Sequence, residues 1–322
     1  MESMERHQIS LYLVAIVVGG FSGWLTPAAA KPFELSITPV LGALLFATFL
    51  GIPFSKIGQA VRDGRFITTV MVLNFLIVPI IVFGLSRFVA HDQALLIGVM
   101  MVLLTPCIDY VIVFSGLAGG SSERLLAAAP LLMLTQMLLL PLYLLIFIGP
   151  HLVSAIEPGP FIEALVLLVI IPLVAAALTQ RWACRALAAR HLMAFMQGLM
   201  VPLMMLTLAI VVGSQIVGVG QELRSLLAVI PIYIAYLIVM VPTGMLAARI
   251  ARLDVGSTTA VVFSGATRNS LVVLPLALAL PEPLALVALV VVTQTLIELV
   301  GMVTYVKALP RLISTQHTTS YI

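Results

Sequence analysis

Ten stretches of this chain are apolar over enough residues to cross a bilayer, and nothing else in the sequence restricts its fold as strongly. They fall at about 8–27, 34–53, 66–89, 94–117, 125–148, 161–180, 194–217, 225–248, 257–280 and 284–306. A helix rising about 1.5 Å per residue needs roughly 20 apolar residues to cross a hydrocarbon core about 30 Å thick. Only 9% of the residues are charged, against about a quarter in soluble domains, so the stretches cannot be buried inside a water-soluble protein. The expected fold class is an all-α integral membrane protein. The longest connection, FSKIGQAVRDGR at 54–65, is too short to be a soluble domain, so any function belongs to the helices themselves.

Basic residues orient the chain, because cytoplasmic connections hold the excess of Lys and Arg. With the N-terminus inside, twelve basic residues fall in cytoplasmic positions, from Arg6 to Arg311, and three outside, Lys31, Arg87 and Arg224. Arg268 lies within the ninth span and takes no part in this count. Both termini are expected in the cytoplasm, with the chain in an inner or plasma membrane. The net charge of +3 is this topological bias and forms no basic groove for nucleic acid, so the expected partners are the lipid bilayer and a small solute. The N-terminus leads into the first span without a small-residue cleavage site, so no removable signal is expected. Cys107 lies in a span and Cys184 in a basic connection, positions that suit free thiols rather than a disulfide.

Two offsets recur along the chain. Pro39 and Pro202 lie 163 positions apart, as do Pro79 and Pro242; LTQM at 134–137 and VTQT at 292–295 lie 158 apart. The chain thus reads as two five-span halves, 1–150 and 151–322. An odd number of spans per half forces the second to enter the membrane upside down. Such inverted repeats are common in secondary transporters, whose sites form where interrupted helices meet near the midplane.

The shorter offset superimposes the polar interruption TPCIDY at 105–110 on FSGATR at 263–268, so Asp109 falls on Thr267 and Tyr110 on Arg268. Ionised groups near the bilayer centre are costly, by about 2.5–3.5 kcal/mol on insertion scales, and are retained when paired, wetted or functional. Asp109 and Arg268 are therefore expected to pair, either as a moving couple or as a fixed one that sets helix register. Arg268 is alternatively placed to meet an anionic substrate, with Ser264, Thr267, Asn269 and Ser270 as neutral hydrogen-bonding groups. Cys107 is a soft ligand for a thiophilic species, and Pro106 beside it interrupts the helical ladder. Gln136 and Gln294 are equivalent in the two halves. Gln294 and Glu298, spaced i, i+4, share one helix face, and Asn74 is expected to turn inward. Either Glu298 or Asp109 is a candidate proton carrier. Enzyme chemistry is not expected: Asp109 is the only aspartate within a span, and no HExxH sequence is present.

The runs VRDGRFITTVMVLNFLIVPIIVFGLSRF, LLIGVMMVLLTPCIDYVIVFSGLAGG and QTLIELVG resemble the bile acid:sodium symporter superfamily, and within it the arsenite permeases of arsenical resistance. The resemblance implies ten helices in two inverted five-helix repeats, with the fourth and ninth broken and crossed. It implies transport without an organic cofactor, here efflux of an arsenite- or antimonite-type metalloid in exchange for protons. The alternative is symport of an organic anion with sodium or protons. Cys107 matches the fourth-helix cysteine of those permeases, Glu298 their tenth-helix acid and Asn269 their ninth-helix polar core. Where they carry Asn-Asn-Phe-Glu, this chain reads Arg268, Asn269, Ser270 and Leu271. Where the sodium-coupled branch places a Glu and a Gln as ion ligands, this chain has Ser264 and Arg268. A guanidinium cannot coordinate sodium, which argues against sodium coupling and leaves Asp109 to carry the proton.

Overall fold

A computed structural model of the chain describes residues 8–51, 64–108, 110–149, 159, 162–163 and 166–319. Its regular elements are helices, and six are long and apolar enough to cross a membrane: Pro27–Gly51, Gly64–Val89, Ser122–Phe147, Met200–Gly220, Leu223–Ile250 and Leu286–Ile313. Each coincides with one of the ten apolar stretches. Of the other four, the first forms a shorter helix, two are interrupted by non-helical residues, and the sixth lies partly outside the described residues. Large apolar side chains such as Ile80, Leu138 and Ile238 are exposed on the outer surface. That arrangement is unfavourable in water and suits a surface bathed in lipid. The protein is a multi-pass helical membrane protein.

In chain order the helices are α1 (Gln8–Leu25), α2 (Ala30–Gly51), α3 (Gly64–Val72), α4 (Val78–Ser86), α5 (Gln93–Leu103), α6 (Tyr110–Leu117) and α7 (Ser122–Ile148). The second half contributes α8 (Ile171–Ala183), α9 (Leu187–Gly198), α10 (Met200–Gln221), α11 (Ile230–Ile250), α12 (Val255–Ala266), α13 (Ser270–Leu278) and α14 (Leu286–Thr319). They form two compact units, each drawing on both halves of the chain: one holds α1, α2 and α8–α10, the other α3–α7, α11, α12 and α14.

In the first unit, α1 packs along α10 through small residues. An added Cβ on Gly19 would lie 2.6 Å from the Ala209 Cα, and one on Gly23 2.7 Å from the Gly213 carbonyl carbon. The two glycines are four residues apart, on one face, so the backbones meet as in small-xxx-small membrane contacts. Gly23→Val is expected to cost about 3 kcal/mol or more through overpacking and to lower Tm by about 6 °C or more. An unchanged melting curve would show that this contact carries no stability. At the end of α2 the freed carbonyls are met by side chains: Gln180 donates to Phe49 and Leu50, and Gln197 to Leu50, each at 3.2 Å. Helix ends buried from water need such partners.

In the second unit, a π-turn over Leu73–Ile77 joins α3 to α4. Pro79, just beyond it, has no N–H to offer the Phe75 carbonyl four residues back. The Tyr143 hydroxyl of α7 donates to that carbonyl at 2.5 Å. The turn also carries Asn74, which is completely buried. Helices α11 and α12 approach closely because Gly244 has no side chain: a Cβ there would lie 2.8 Å from the Val262 Cα. Asp254 caps α12 by accepting from the Ser257 N–H at 2.8 Å, and Arg124 at the start of α7 lies 3.6 Å from it. Partial burial raises the Asp254 carboxyl, but the Ser257 bonds and Arg124 outweigh that effect and hold it below its ordinary value.

Candidate functional site

The second unit contains two helix interruptions, and they meet. Helix α5 ends at Leu103 and α6 begins at Tyr110; α12 ends at Ala266 and α13 begins at Ser270. Between them Pro106 and Arg268 face each other as an antiparallel bridge. The Cys107 N–H donates to the Thr267 carbonyl at 3.2 Å, and the Asn269 N–H to the Thr105 carbonyl at 2.8 Å. Each break therefore satisfies the other's backbone. Non-helical backbone at membrane depth is tolerated only under that condition or beside water. Pro106 prevents the first break from closing into helix, because it supplies no N–H and crowds the turn before it.

Arg268 is fully buried and reaches back along α12. Its guanidinium donates to the carbonyls of Ser264 at 2.9 Å and Gly265 at 2.5 Å, to the Leu103 carbonyl at the end of α5 at 3.3 Å, and to Asn74 Oδ1 at 2.7 Å. The Tyr236 ring lies under it at 5.5 Å, and the Tyr236 hydroxyl donates to the same Gly265 carbonyl at 2.6 Å. Cations near helix C-termini are stabilised by the aligned carbonyl dipoles, and two helices end here. Asn74 holds the arrangement from the π-turn after α3: its amide donates to the Val70 carbonyl and the Ser264 hydroxyl, both at 3.0 Å. The Asp109 expected to pair with Arg268 lies outside the described residues.

Glu298 of α14 supports the backbone of the second break. Its carboxylate accepts from the Arg268 main-chain N–H at 2.8 Å, from the Tyr110 hydroxyl at 2.6 Å and from the Gln294 amide. The Tyr110 hydroxyl also lies 3.1 Å from the Arg268 carbonyl. Gln294 and Glu298 thus share an inward face, as their spacing predicts. Thr267 satisfies its own hydroxyl on the Phe263 carbonyl at 2.8 Å, one turn back, as membrane-embedded Thr residues often do. Cys107 is buried at the bridge. Among the described residues, Arg268 Nε and Asn269 Nδ2 are buried donors without a hydrogen-bond partner. Such donors are costly unless something fills them.

The structure brings Asn74, Cys107, Ser264, Thr267, Arg268, Asn269, Gln294 and Glu298 to one crossing. Gln136 is buried in α7 with both amide atoms unpartnered among the described residues, and no hydrogen bond ties it to the crossing. Sequence reasoning did not single out Tyr110 or Tyr236. A tyrosine at mid-span is the available signal, since its hydroxyl needs a buried partner. No group of three or more His, Cys, Asp or Glu side chains among the described residues is placed to hold a metal.

A helical membrane protein in which two interrupted helices cross around buried polar side chains has the build of a secondary transporter. Residues 38–223 match the sodium bile acid symporter family, over more than half of the chain. The chain belongs to that family, whose members are transporters. No curated protein matches it.

Proposed function

We propose that this transporter belongs to the arsenite permease-like branch and exports a thiophilic oxyanion, or its neutral acid, in exchange for protons. It does so across the plasma membrane with both termini cytoplasmic, using ten spans arranged as two inverted repeats, 1–150 and 151–322. The observation that carries this reading is the crossing itself: the buried Cys107 thiol sits on non-helical backbone bonded to the Thr267 carbonyl. The unpartnered donors Arg268 Nε and Asn269 Nδ2 belong to the facing break. A soft sulfur ligand suits trivalent arsenic or antimony, and the free N–H groups suit the oxygens of the same species. Glu298, and Asp109 outside the described residues, are the candidate proton carriers. A second reading, equally open to a member of this family, is symport of an organic anion with sodium or protons.

The test is arsenite and antimonite tolerance of a sensitive cell expressing the wild type, Cys107→Ser or Asp109→Asn. Wild type is expected to raise tolerance, and Cys107→Ser to lower it at least about tenfold, the equivalent of about 1.4 kcal/mol of site affinity. Wild-type tolerance equal to that of empty vector would remove the metalloid and leave the organic anion.

A further inference from the structure

We propose that the Arg268 guanidinium is a resident cation: it fills an oxygen-lined site at the crossing where a free monovalent cation would otherwise be held, so the chain binds no inorganic cation there. The lining is made of neutral oxygens. Three are main-chain carbonyls, those of Leu103, Ser264 and Gly265, and the fourth is Asn74 Oδ1, at distances of 2.5–3.3 Å from the guanidinium nitrogens. Carbonyl and amide oxygens converging on one point are the donor set that replaces the hydration shell of hard cations.

These oxygens converge because two helices stop. The last carbonyls of a helix have no intrahelical donor and carry the negative end of its dipole. Leu103 closes α5, and Ser264 and Gly265 lie in the last turn of α12. Left to themselves in a buried place, they would need a positive charge or several N–H donors. The guanidinium supplies both, is completely buried, and rests on the Tyr236 ring, where a cation gains further from the aromatic face.

An ordinary helix cap would satisfy the same carbonyls without implying a cation site. The two differ once the side chain is removed. A site shaped for positive charge should accept a free cation in its place, and a guanidinium ion most readily, whereas a cap leaves only unpaired oxygens. The proposal concerns ion use and holds whatever the cargo is.

The test is thermal unfolding of purified wild type and Arg268→Ala in lipid nanodiscs with choline, sodium, potassium or low-millimolar guanidinium chloride at constant ionic strength. Wild type is expected to melt at one temperature in all four, and calorimetric titration with sodium chloride to give no saturable heat. Arg268→Ala is expected to melt about 5 °C or more lower in choline, and to regain at least half of that loss, saturably, with guanidinium. Arg268→Ala that gains nothing from guanidinium or an alkali cation overturns the proposal, as does saturable sodium binding by wild type. Should Arg268→Ala not fold, Arg268→Lys keeps a tethered charge: melting insensitive to the added cation supports the proposal, and saturable sodium binding to wild type or to Arg268→Lys overturns it.

Discussion

Glu298→Ala is expected to lower Tm by about 10 °C and to abolish transport. Two buried donors lose their acceptor at once, the Arg268 main-chain N–H and the Gln294 amide, and the Tyr110 hydroxyl keeps only its longer bond to the Arg268 carbonyl at 3.1 Å. Each buried donor left unmade costs about 1–3 kcal/mol, so the two together cost about 2–6 kcal/mol. At about 2–4 °C per kcal/mol for a chain of this size class, that gives the stated shift. The Arg268 N–H belongs to the residue that bridges to Pro106, so its release loosens the crossing itself. Glu298→Gln separates shape from charge, because an amide oxygen can still accept from the Arg268 N–H. That variant is expected to stay within a few degrees of wild type yet to lose extrusion driven by a pH gradient in proteoliposomes. Should Glu298→Gln extrude arsenite as wild type does, Glu298 is not the proton carrier.

The breaks were legible because proline and polar residues stand out in apolar sequence: Pro106 and Arg268 mark the places where α5 and α12 stop. The inward face of Gln294 and Glu298 followed from spacing alone. What could not be read was the set of neutral oxygens that Arg268 meets. A sequence displays charges, and Asp109, the obvious complement, lies outside the described residues; the acceptors among the described residues are main-chain carbonyls and Asn74 Oδ1. Every residue has a carbonyl, and which ones are freed depends on where helices end in space. The same holds for Glu298, which meets Arg268 through the backbone N–H and not through the guanidinium. The close approach of α1 to α10 at Gly19 and Gly23 was not read from the sequence, and its partner, around Ala209 and Gly213, has no signature beyond small size. The breaks within the stretches 94–117 and 257–280 do not show in hydropathy, which is blind to hydrogen bonding: a window spanning residues 94–117 is equally apolar whether or not its ladder is continuous.

Asn74→Leu is the sharper probe of how the buried guanidinium is held. Leucine has the same branched heavy-atom skeleton as asparagine, with bulkier methyl groups in place of the amide oxygen and nitrogen, so the substitution removes hydrogen bonding while keeping the shape of the side chain. It deprives Arg268 of its bond at 2.7 Å and the Ser264 hydroxyl of its donor at 3.0 Å. Breaking one side of a buried charged interaction costs about 3–5 kcal/mol, mostly because the charge stays buried with a missing partner. The expected result is a Tm lower by roughly 6–20 °C. Asn74→Asp keeps the acceptor and adds a charge opposite to that of the guanidinium, so it is expected to melt close to wild type. Its carboxylate loses the amide donor, however, and the Ser264 hydroxyl must turn to donate instead. The order wild type, Asn74→Asp, then Asn74→Leu in falling Tm identifies the Asn74 oxygen as the feature that matters. Equal losses in both variants would assign the role to the amide N–H and its bonds to Val70 and Ser264, leaving the guanidinium supported by the three carbonyls alone.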